Sequence, residues 1–184
     1  MSEATEELMH EHRAIERLIG LLERAADKIE KGTPVPPAIL ADAVDFMRGF
    51  ADKCHHAKEE DLLFPAMARR GVPYEAGPLA VMLADHRLGR QYAAGMAAAL
   101  PGYEKGHLAA TATLIENMRG YAQLLRAHIH KEDFVLYPLA DQVLDDGEKM
   151  QLAKEFARVE KEVTGPGEHE KHLAMLDTLE AAVG

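Results

Sequence analysis

The chain has 184 residues, of which 47% are hydrophobic and 28% are charged, and its formal net charge is −10. This size and composition predict a soluble globular domain with a sizeable core, and the negative charge argues against nucleic acid or an anionic membrane as a partner. The acidic N-terminus lacks the apolar segment of a signal peptide, and the single cysteine, Cys54, excludes an intrachain disulfide framework and a cysteine-rich metal site. A cytoplasmic location is therefore expected.

Helical spacing of apolar residues runs along the whole chain. The first predicted helix carries an apolar stripe formed by Leu8, Ile15, Leu18, Leu22 and Ala26. After a break at residues 31–37, a second helix is predicted from about residue 38 to the loop at 69–78, and Pro65 is expected to kink it or end it early. A third helix is predicted over roughly 78–100, ending at the sequence PGYEKG, and a fourth over roughly 107–144.

These four long helices predict an all-α fold, an up-down-up-down four-helix bundle over residues 1–145. The remaining residues, 146–184, are expected to form two shorter helices that pack on the bundle as a C-terminal extension. No alternating strand pattern and no hairpin signal appear in the sequence.

An internal repeat relates the two halves of the chain. The segment HHAKEEDLLFP at residues 55–65 returns as HIHKEDFVLYP at 128–138, so that His, Glu and Pro recur 73 positions apart. The triplets EHR at 11–13 and DHR at 85–87 recur with an offset of 74. The chain therefore reads as two helical hairpins, each with an acid-His-Arg triplet on its first helix and a His-x-x-x-Glu motif on its second.

The repeated motifs predict a metal site in the bundle. The His and Glu of each His-x-x-x-Glu motif lie one turn apart on the same helix face, and the histidines of the triplets lie within apolar stripes. Burying such groups unpaired costs on the order of several kcal/mol for each ionised group. Two metal ions would resolve this, with imidazoles as terminal ligands and carboxylates as bridges. Histidine and glutamate without cysteine suit iron or manganese, and zinc less exclusively. The predicted ligands are His12, His55, Glu59, His86, His128 and Glu132.

Alternatives exist for each motif taken alone. A single His-x-x-x-Glu is usually a surface ion pair, and a lone histidine in an apolar stripe is usually a satisfied core residue. The ordered repetition of both motifs favours the metal site. His10 and His130 lie about 200° around the helix from His12 and His128 and are expected to face outward. His56, about 100° from His55, is expected on the flank.

Together the motifs EHR, HHAKEEDLLFP, DHR and HIHKEDFVLYP resemble those of hemerythrin-like proteins, also called HHE cation-binding domains, over roughly residues 5–140. The resemblance implies a four-helix bundle around a non-haem di-iron centre with an oxo or hydroxo bridge. His12 and His55 would bind one iron and His86 and His128 the other, with Glu59 and Glu132 bridging them.

The sequence departs from the oxygen carriers of that family. Their third helix carries His-x-x-x-His, whereas residue 90 is arginine, so the resemblance implies an open position on each iron and an Arg90 that pairs with a bridging carboxylate or an anion. Their bridging aspartate corresponds to Asp133, but the internal repeat favours Glu132 and leaves Asp133 as the second choice. The sequence GPGEHEKH resembles the C-terminus of some prokaryotic members, and its His169 or His172 is a candidate substitute ligand or hydrogen-bond donor to the site, as against an exposed histidine.

Three functions follow from this resemblance. The leading one is a cytoplasmic di-iron protein that binds or reacts with O2, peroxide or NO in oxygen, redox or iron sensing or in stress defence; if it is an enzyme, catalase-like chemistry is expected. The second is an iron–sulfur repair or iron-donor protein, which the lack of a cysteine-bearing N-terminal region disfavours. The third is an interaction module in which the metal only holds the helices together.

Overall fold

The computed structural model describes residues 1–165 and 167–184, apart from the side chains of Val163, Thr164 and His169. Within these residues the chain forms helices and no strand. None of the described helices combines the length and apolar character that a membrane crossing requires. In chain order the elements are α1 (Glu3–Glu30), α2 (Pro37–Phe46), π1 (Met47–His56), π2 (Glu59–Leu63), α3 (Phe64–Arg69), α4 (Gly77–Glu104), α5 (Leu108–Lys131), π3 (Glu132–Leu136), α6 (Tyr137–Val143), α7 (Asp146–Val159), π4 (Glu160–Thr164) and α8 (Glu168–Val183).

The second and fourth long helical spans each continue through a proline that follows a π segment after one intervening residue. The second span runs unbroken from residue 37 to 69, and the fourth from 108 to 143. A proline ring collides with the carbonyl four residues earlier in an α-helix. Here a π segment precedes each proline, and the N–H of the residue just before Pro65 or Pro138 bonds to a carbonyl five residues back, that of Glu59 or Glu132. The wider π turn accommodates the ring, so Pro65 does not end its helix.

The third span is longer than the sequence predicted. It was expected to stop near residue 100, but α4 continues through Pro101 to Glu104. The added turn is held by Tyr103, whose hydroxyl donates to the Val35 carbonyl at 2.8 Å and accepts from the Val35 N–H at 3.0 Å. Gly106, with φ of +73°, then reverses the chain toward α5.

Buried apolar side chains form two clusters separated by a polar layer. The larger cluster includes Ile15, Leu18, Leu22, Phe46, Phe50, Met96, Met118, Leu125, Ile129, Leu176 and Leu179. The smaller cluster includes Ala4, Leu8, Leu63, Phe64, Leu79, Met82, Leu136, Tyr137 and Phe156. The first and third spans run from the smaller to the larger cluster, and the second and fourth run back. In every span the repeated histidine motifs fall between the two clusters, so the polar layer crosses the middle of all four.

The two C-terminal helices predicted from the sequence are present and pack on the long spans. α7 contacts α1 and buries Phe156 in the smaller cluster, whereas α8 contacts α1 and α2. Arg17 of α1 fastens α8 through Asp177, at 2.6 Å, and Glu180, at 2.9 Å.

Candidate metal centre

Four buried imidazoles face one another in pairs within the polar layer. His12 Nε2 lies 3.1 Å from His55 Nε2, and His86 Nε2 lies 3.1 Å from His128 Nε2. Each residue is exposed by 1% or less. These are the pairs that the family resemblance assigns to separate metal ions.

Two buried carboxylates lie between the histidine pairs. One Glu132 oxygen is 3.2 Å from His12 Nε2 and the other is 3.0 Å from His128 Nε2, so this side chain spans both pairs. Glu59 Oε2 is 3.3 Å from His86 Nε2 and 3.8 Å from His55 Nε2. The structure therefore brings all six predicted residues together, and their binding of metal stays a prediction.

A second layer of carboxylates holds the outer nitrogens of the four imidazoles. Each Nδ1 faces one carboxylate oxygen, which fixes the ring and directs Nε2 inward. The pairs are His12 with Asp133 at 2.6 Å, His55 with Glu11 at 2.8 Å, His86 with Glu60 at 2.7 Å, and His128 with Asp85 at 3.3 Å. The second layer obeys the sequence repeat, because Glu11 and Asp85 are the acids of the two triplets.

Each carboxylate of the second layer also has a cationic partner. Arg13 donates to Asp133 at 2.5 Å, Lys58 to Glu11 at 2.7 Å, Arg90 to Glu60 at 2.9 Å, and Lys131 to Asp85 at 2.5 Å. Lys58 and Lys131 are 73 positions apart, so repeat spacing is the sequence signal that could have revealed them. Among the described residues no lysine or arginine pairs with Glu59 or Glu132. Their negative charges are therefore available to bind cations in the centre.

The inner atoms fit metal ions chemically. A neutral imidazole that donates through Nδ1 carries a lone pair on Nε2, so lone pairs face carboxylate oxygens across the site. Glu59 Oε2 and both Glu132 oxygens are buried without a hydrogen-bond partner among the described residues. Such an arrangement is repulsive unless cations or protons occupy it. Burial lowers the pKa of His12, but its hydrogen bond to the Asp133 carboxylate and the nearby negative charges of Glu132 and Glu59 outweigh that effect and raise the pKa to about 9.

A fifth histidine lies in the site, contrary to the sequence prediction. His56 was expected on the flank, but it is only 4% exposed and its ring stacks on that of His86, with centroids 3.9 Å apart. One of its nitrogens belongs to a metal-ligating group with Glu59, His86 and His128, all within 4.8 Å of one another. The prediction assumed α-helical spacing, whereas π1 makes hydrogen bonds five residues apart and so separates successive side chains by a smaller angle.

The two halves of the site also differ at one aromatic position. The buried hydroxyl of Tyr137 donates to Glu59 Oε1 at 2.8 Å and lies 3.2 Å from His12 Nε2. The repeat places Phe64 at the equivalent position, where its ring stacks on His86 as that of Tyr137 stacks on His12. At this position of the repeat, the half of the site that contains His12 therefore has a phenol and the half that contains His86 has a phenyl ring.

Comparison with known families agrees with this geometry. The sequence profile of the hemerythrin HHE cation binding domain matches residues 3–140. The chain belongs to this family. The family description supports cation binding in general, and it fits the histidines and glutamates assembled in the polar layer.

Relatives of known sequence carry no described activity. The uncharacterized protein Rv1995 of Mycobacterium tuberculosis is 24% identical over 153 residues, as is the uncharacterized protein Mb2018 of Mycobacterium bovis. The match covers 83% of this chain and 59% of each relative, so the chain spans well under two thirds of their length. No solved structure matches significantly.

Within this hemerythrin HHE domain, Arg90 does not pair with a bridging carboxylate as the sequence suggested. Its guanidinium instead binds Asp52 at 2.7 Å and Glu60 at 2.9 Å, both in the outer part of the site. Glu60 in turn accepts from His86 Nδ1. Arg90 thus fixes the orientation of a histidine rather than pairing with Glu59 or Glu132.

Two other candidates, Asp133 and His172, lie away from the inner atoms. Asp133 sits behind His12, on its Nδ1 side, so the structure places Glu132 and not Asp133 between the histidine pairs. His172 packs against Phe46 and Phe50 and donates to the Glu168 carbonyl at 2.6 Å, and it belongs to none of the described groups of residues that could hold a metal ion. The side chain of His169 lies outside the described residues.

The predictions for two further histidines agree with the structure, because His10 and His130 are exposed. His107 directly precedes α5, and Cys54 is fully buried.

Proposed function

We propose that this chain holds two iron ions in the middle of an up-down-up-down four-helix bundle and reacts there with O2 or a related small molecule such as peroxide or NO. In this proposal the protein acts in the cytoplasm in oxygen, redox or iron sensing or in stress defence. His12 and His55 would hold one iron, His86 and His128 the other, and Glu59 and Glu132 would contact both.

The observation that carries the proposal is the position of Glu132. Its two oxygens lie 3.2 Å and 3.0 Å from Nε2 atoms of different histidine pairs, and neither oxygen has a hydrogen-bond partner among the described residues. Two pairs of imidazoles with a carboxylate between them provide the ligand atoms that a two-metal centre in a helical bundle requires. Iron, when bound, would supply a redox-active ion to which a small molecule can attach.

The residues of the chain prepare this chemistry in two ways. The two apolar clusters on either side of the polar layer exclude water and so strengthen electrostatic interactions within it. Tyr137 places a proton donor beside the His12 half of the site. Burial, and then the charges of Glu132 and Glu59, raise the pKa of Tyr137 well above its usual value of 10, so the phenol keeps its proton at neutral pH.

Optical spectroscopy of the reduced, iron-loaded protein tests the proposed reaction. The protein is mixed in a stopped-flow instrument with O2, then in separate experiments with peroxide and NO. A reversible spectral change with O2 supports carriage, oxidation with gas evolution from peroxide supports catalase-like activity, and a change with NO supports nitrosative defence. Iron that is bound but spectrally unaffected by all three would refute the reactive role and favour an ion that only holds the helices together.

Substitution of single histidines tests the metal centre itself. His55→Ala removes a predicted ligand and is expected to lower the iron content, whereas His130→Ala changes an exposed histidine on the outer side of the same layer and is expected to leave it unchanged. Full iron retention by a folded His55→Ala protein would contradict the assignment. Circular dichroism establishes that both variants are folded.

A further inference from the structure

His56 has no role in the symmetric pattern of the site, yet it is buried there without a hydrogen bond to any described residue. Both of its ring nitrogens are buried and lack a hydrogen bond to any described residue. The ring borders a cavity of about 380 Å³ that the exposed Arg48 and Lys53 also line. Since the nitrogens themselves are inaccessible, water in the cavity does not solvate them. An imidazole buried in this way is unfavourable unless another group satisfies it.

The surroundings of His56 match those of the four predicted ligands. Each of those histidines has a carboxylate behind Nδ1 and directs Nε2 inward. Asp52 Oδ1 lies 3.5 Å from Nδ1 of His56. Nε2 is therefore the nitrogen of His56 that could bind a metal ion. The group that His56 forms with Glu59, His86 and His128 has all its donor atoms within 4.8 Å, compact enough for one metal ion to contact them.

The pair of Asp52 and His56 occurs in only one half of the repeat. At the positions 73 residues further along stand Leu125 and Ile129, two apolar residues of the larger cluster. Arg90 binds both Asp52 and Glu60, the carboxylates nearest the Nδ1 atoms of His56 and His86. The arginine that replaces a ligand histidine of the oxygen carriers therefore fixes the carboxylate behind an extra histidine.

We propose that His56 is a fifth imidazole ligand, binding the metal ion that His86 and His128 hold. This inference rests on the proposed two-metal centre and makes its two halves unequal. Three imidazoles would hold one ion and two would hold the other, so the ion beside His12 and His55 would have fewer protein ligands. That half of the site borders the hydroxyl of Tyr137, and small molecules are expected to bind there.

Counting the imidazoles bound to Co²⁺ tests the inference without relying on activity. Co²⁺ alone is added to the metal-free protein, and proton NMR records the strongly shifted, exchangeable N–H signals of coordinated imidazoles. Wild type is expected to give five such signals for two bound ions. Four signals would overturn the role of His56 while leaving the two-metal centre intact. A protein that binds no Co²⁺ and no Fe²⁺ would overturn both proposals.

Replacing His56 by the residue found at its repeat position gives a second test. His56→Ile is expected to lose one shifted signal and to lower the affinity of one metal position by at least the roughly 10–100-fold that loss of a hydrogen-bond partner of a ligand costs, with the other position unaffected. His172→Ile is the matched control, because His172 is also a buried histidine but lies outside the site. A folded His56→Ile protein with unchanged signals and affinities would refute the inference. If His56→Ile does not fold, His56→Gln and the wild-type signal count decide the question.

Discussion

Tyr137→Phe removes a single hydroxyl from the candidate centre and nothing else. That hydroxyl donates to Glu59 Oε1 at 2.8 Å, and the ring stacks on His12 with centroids 5.5 Å apart. Phe64 stacks on His86 at the equivalent position of the repeat, so a phenylalanine ring is compatible with this environment. The substitution therefore isolates the hydrogen bond from the packing.

The size of the effect follows from the burial of both partners. A hydrogen bond to a charged group contributes about 1.5–3 kcal/mol, and its loss leaves a buried carboxylate oxygen unsatisfied. The free energy of unfolding of the metal-free variant is expected to be lower than that of the metal-free wild type by about this amount. For a chain of this size each kcal/mol shifts the Tm by about 2–4 °C, so a fall of roughly 3–12 °C is expected. With metal present, loss of this outer contact is expected to weaken binding about 10–100-fold.

Thermal and urea unfolding of the chelator-treated proteins measure the first effect, and Fe²⁺ titration measures the second. Tyr121→Phe is the control, because Tyr121 is also buried but makes no hydrogen bond to Glu59 or Glu132 in the described part of the chain. If Tyr137→Phe matched both wild type and Tyr121→Phe in stability and in Fe²⁺ affinity, the assigned role of the hydroxyl would be wrong.

Three further predictions concern stability. Lys58→Met is expected to lower the free energy of unfolding by about 3–5 kcal/mol, because it leaves buried carboxylates unpaired, whereas Lys131→Met, at a position 38% exposed, is expected to lower it by about 1 kcal/mol or less; equal urea midpoints would contradict this. Gly20→Ala, in the interior of α1, is expected to raise the free energy of unfolding by about 0.5–1 kcal/mol. Gly102→Ala is expected to lower it by about 1–3 kcal/mol, since the new Cβ would lie 2.5 Å from that of Ala110. A calorimetric Tm that is higher for Gly102→Ala than for Gly20→Ala would refute the packing. Fe²⁺ at about 100 times its Kd is expected to add about 2.7 kcal/mol of stability, which a chelator removes; a Tm independent of metal would count against a binding site in the folded state.

Periodicity and repetition were enough to predict the helices and the six inner residues. The stripe through Leu8 and Leu22 predicts α1, and the doubled His-x-x-x-Glu motif selects His55 as a ligand. Both features are local in sequence, because a helix brings residues three and four apart onto one face. Of the four outer carboxylates, Glu11 and Asp85 are the acids of the triplets, and Glu60 and Asp133 directly follow the glutamates of the two motifs.

The features that sequence reasoning missed depend on departures from regular α geometry and on distant contacts. His56 reaches the interior because π1 is wound more loosely than an α-helix, and the hydrogen-bond register of a helix is not encoded by apolar spacing. The partners of Arg90 lie 38 and 30 residues away, and the role of Tyr137 depends on a glutamate 78 residues away. Such contacts follow from how the spans are arranged against one another.

The outer carboxylates link the two hairpins reciprocally. Asp133 of the second hairpin holds His12 of the first, and Glu60 of the first holds His86 of the second. Contacts of this kind, in which i meets j and j meets i, are the mark of an interface between two identical subunits. The chain thus has the contact pattern of a symmetric dimer whose two copies have been joined end to end. A single hairpin would need a second of its kind to complete the arrangement, and only in a joined chain can the two hairpins differ, with Asp52 and His56 in the first and Tyr137 in the second.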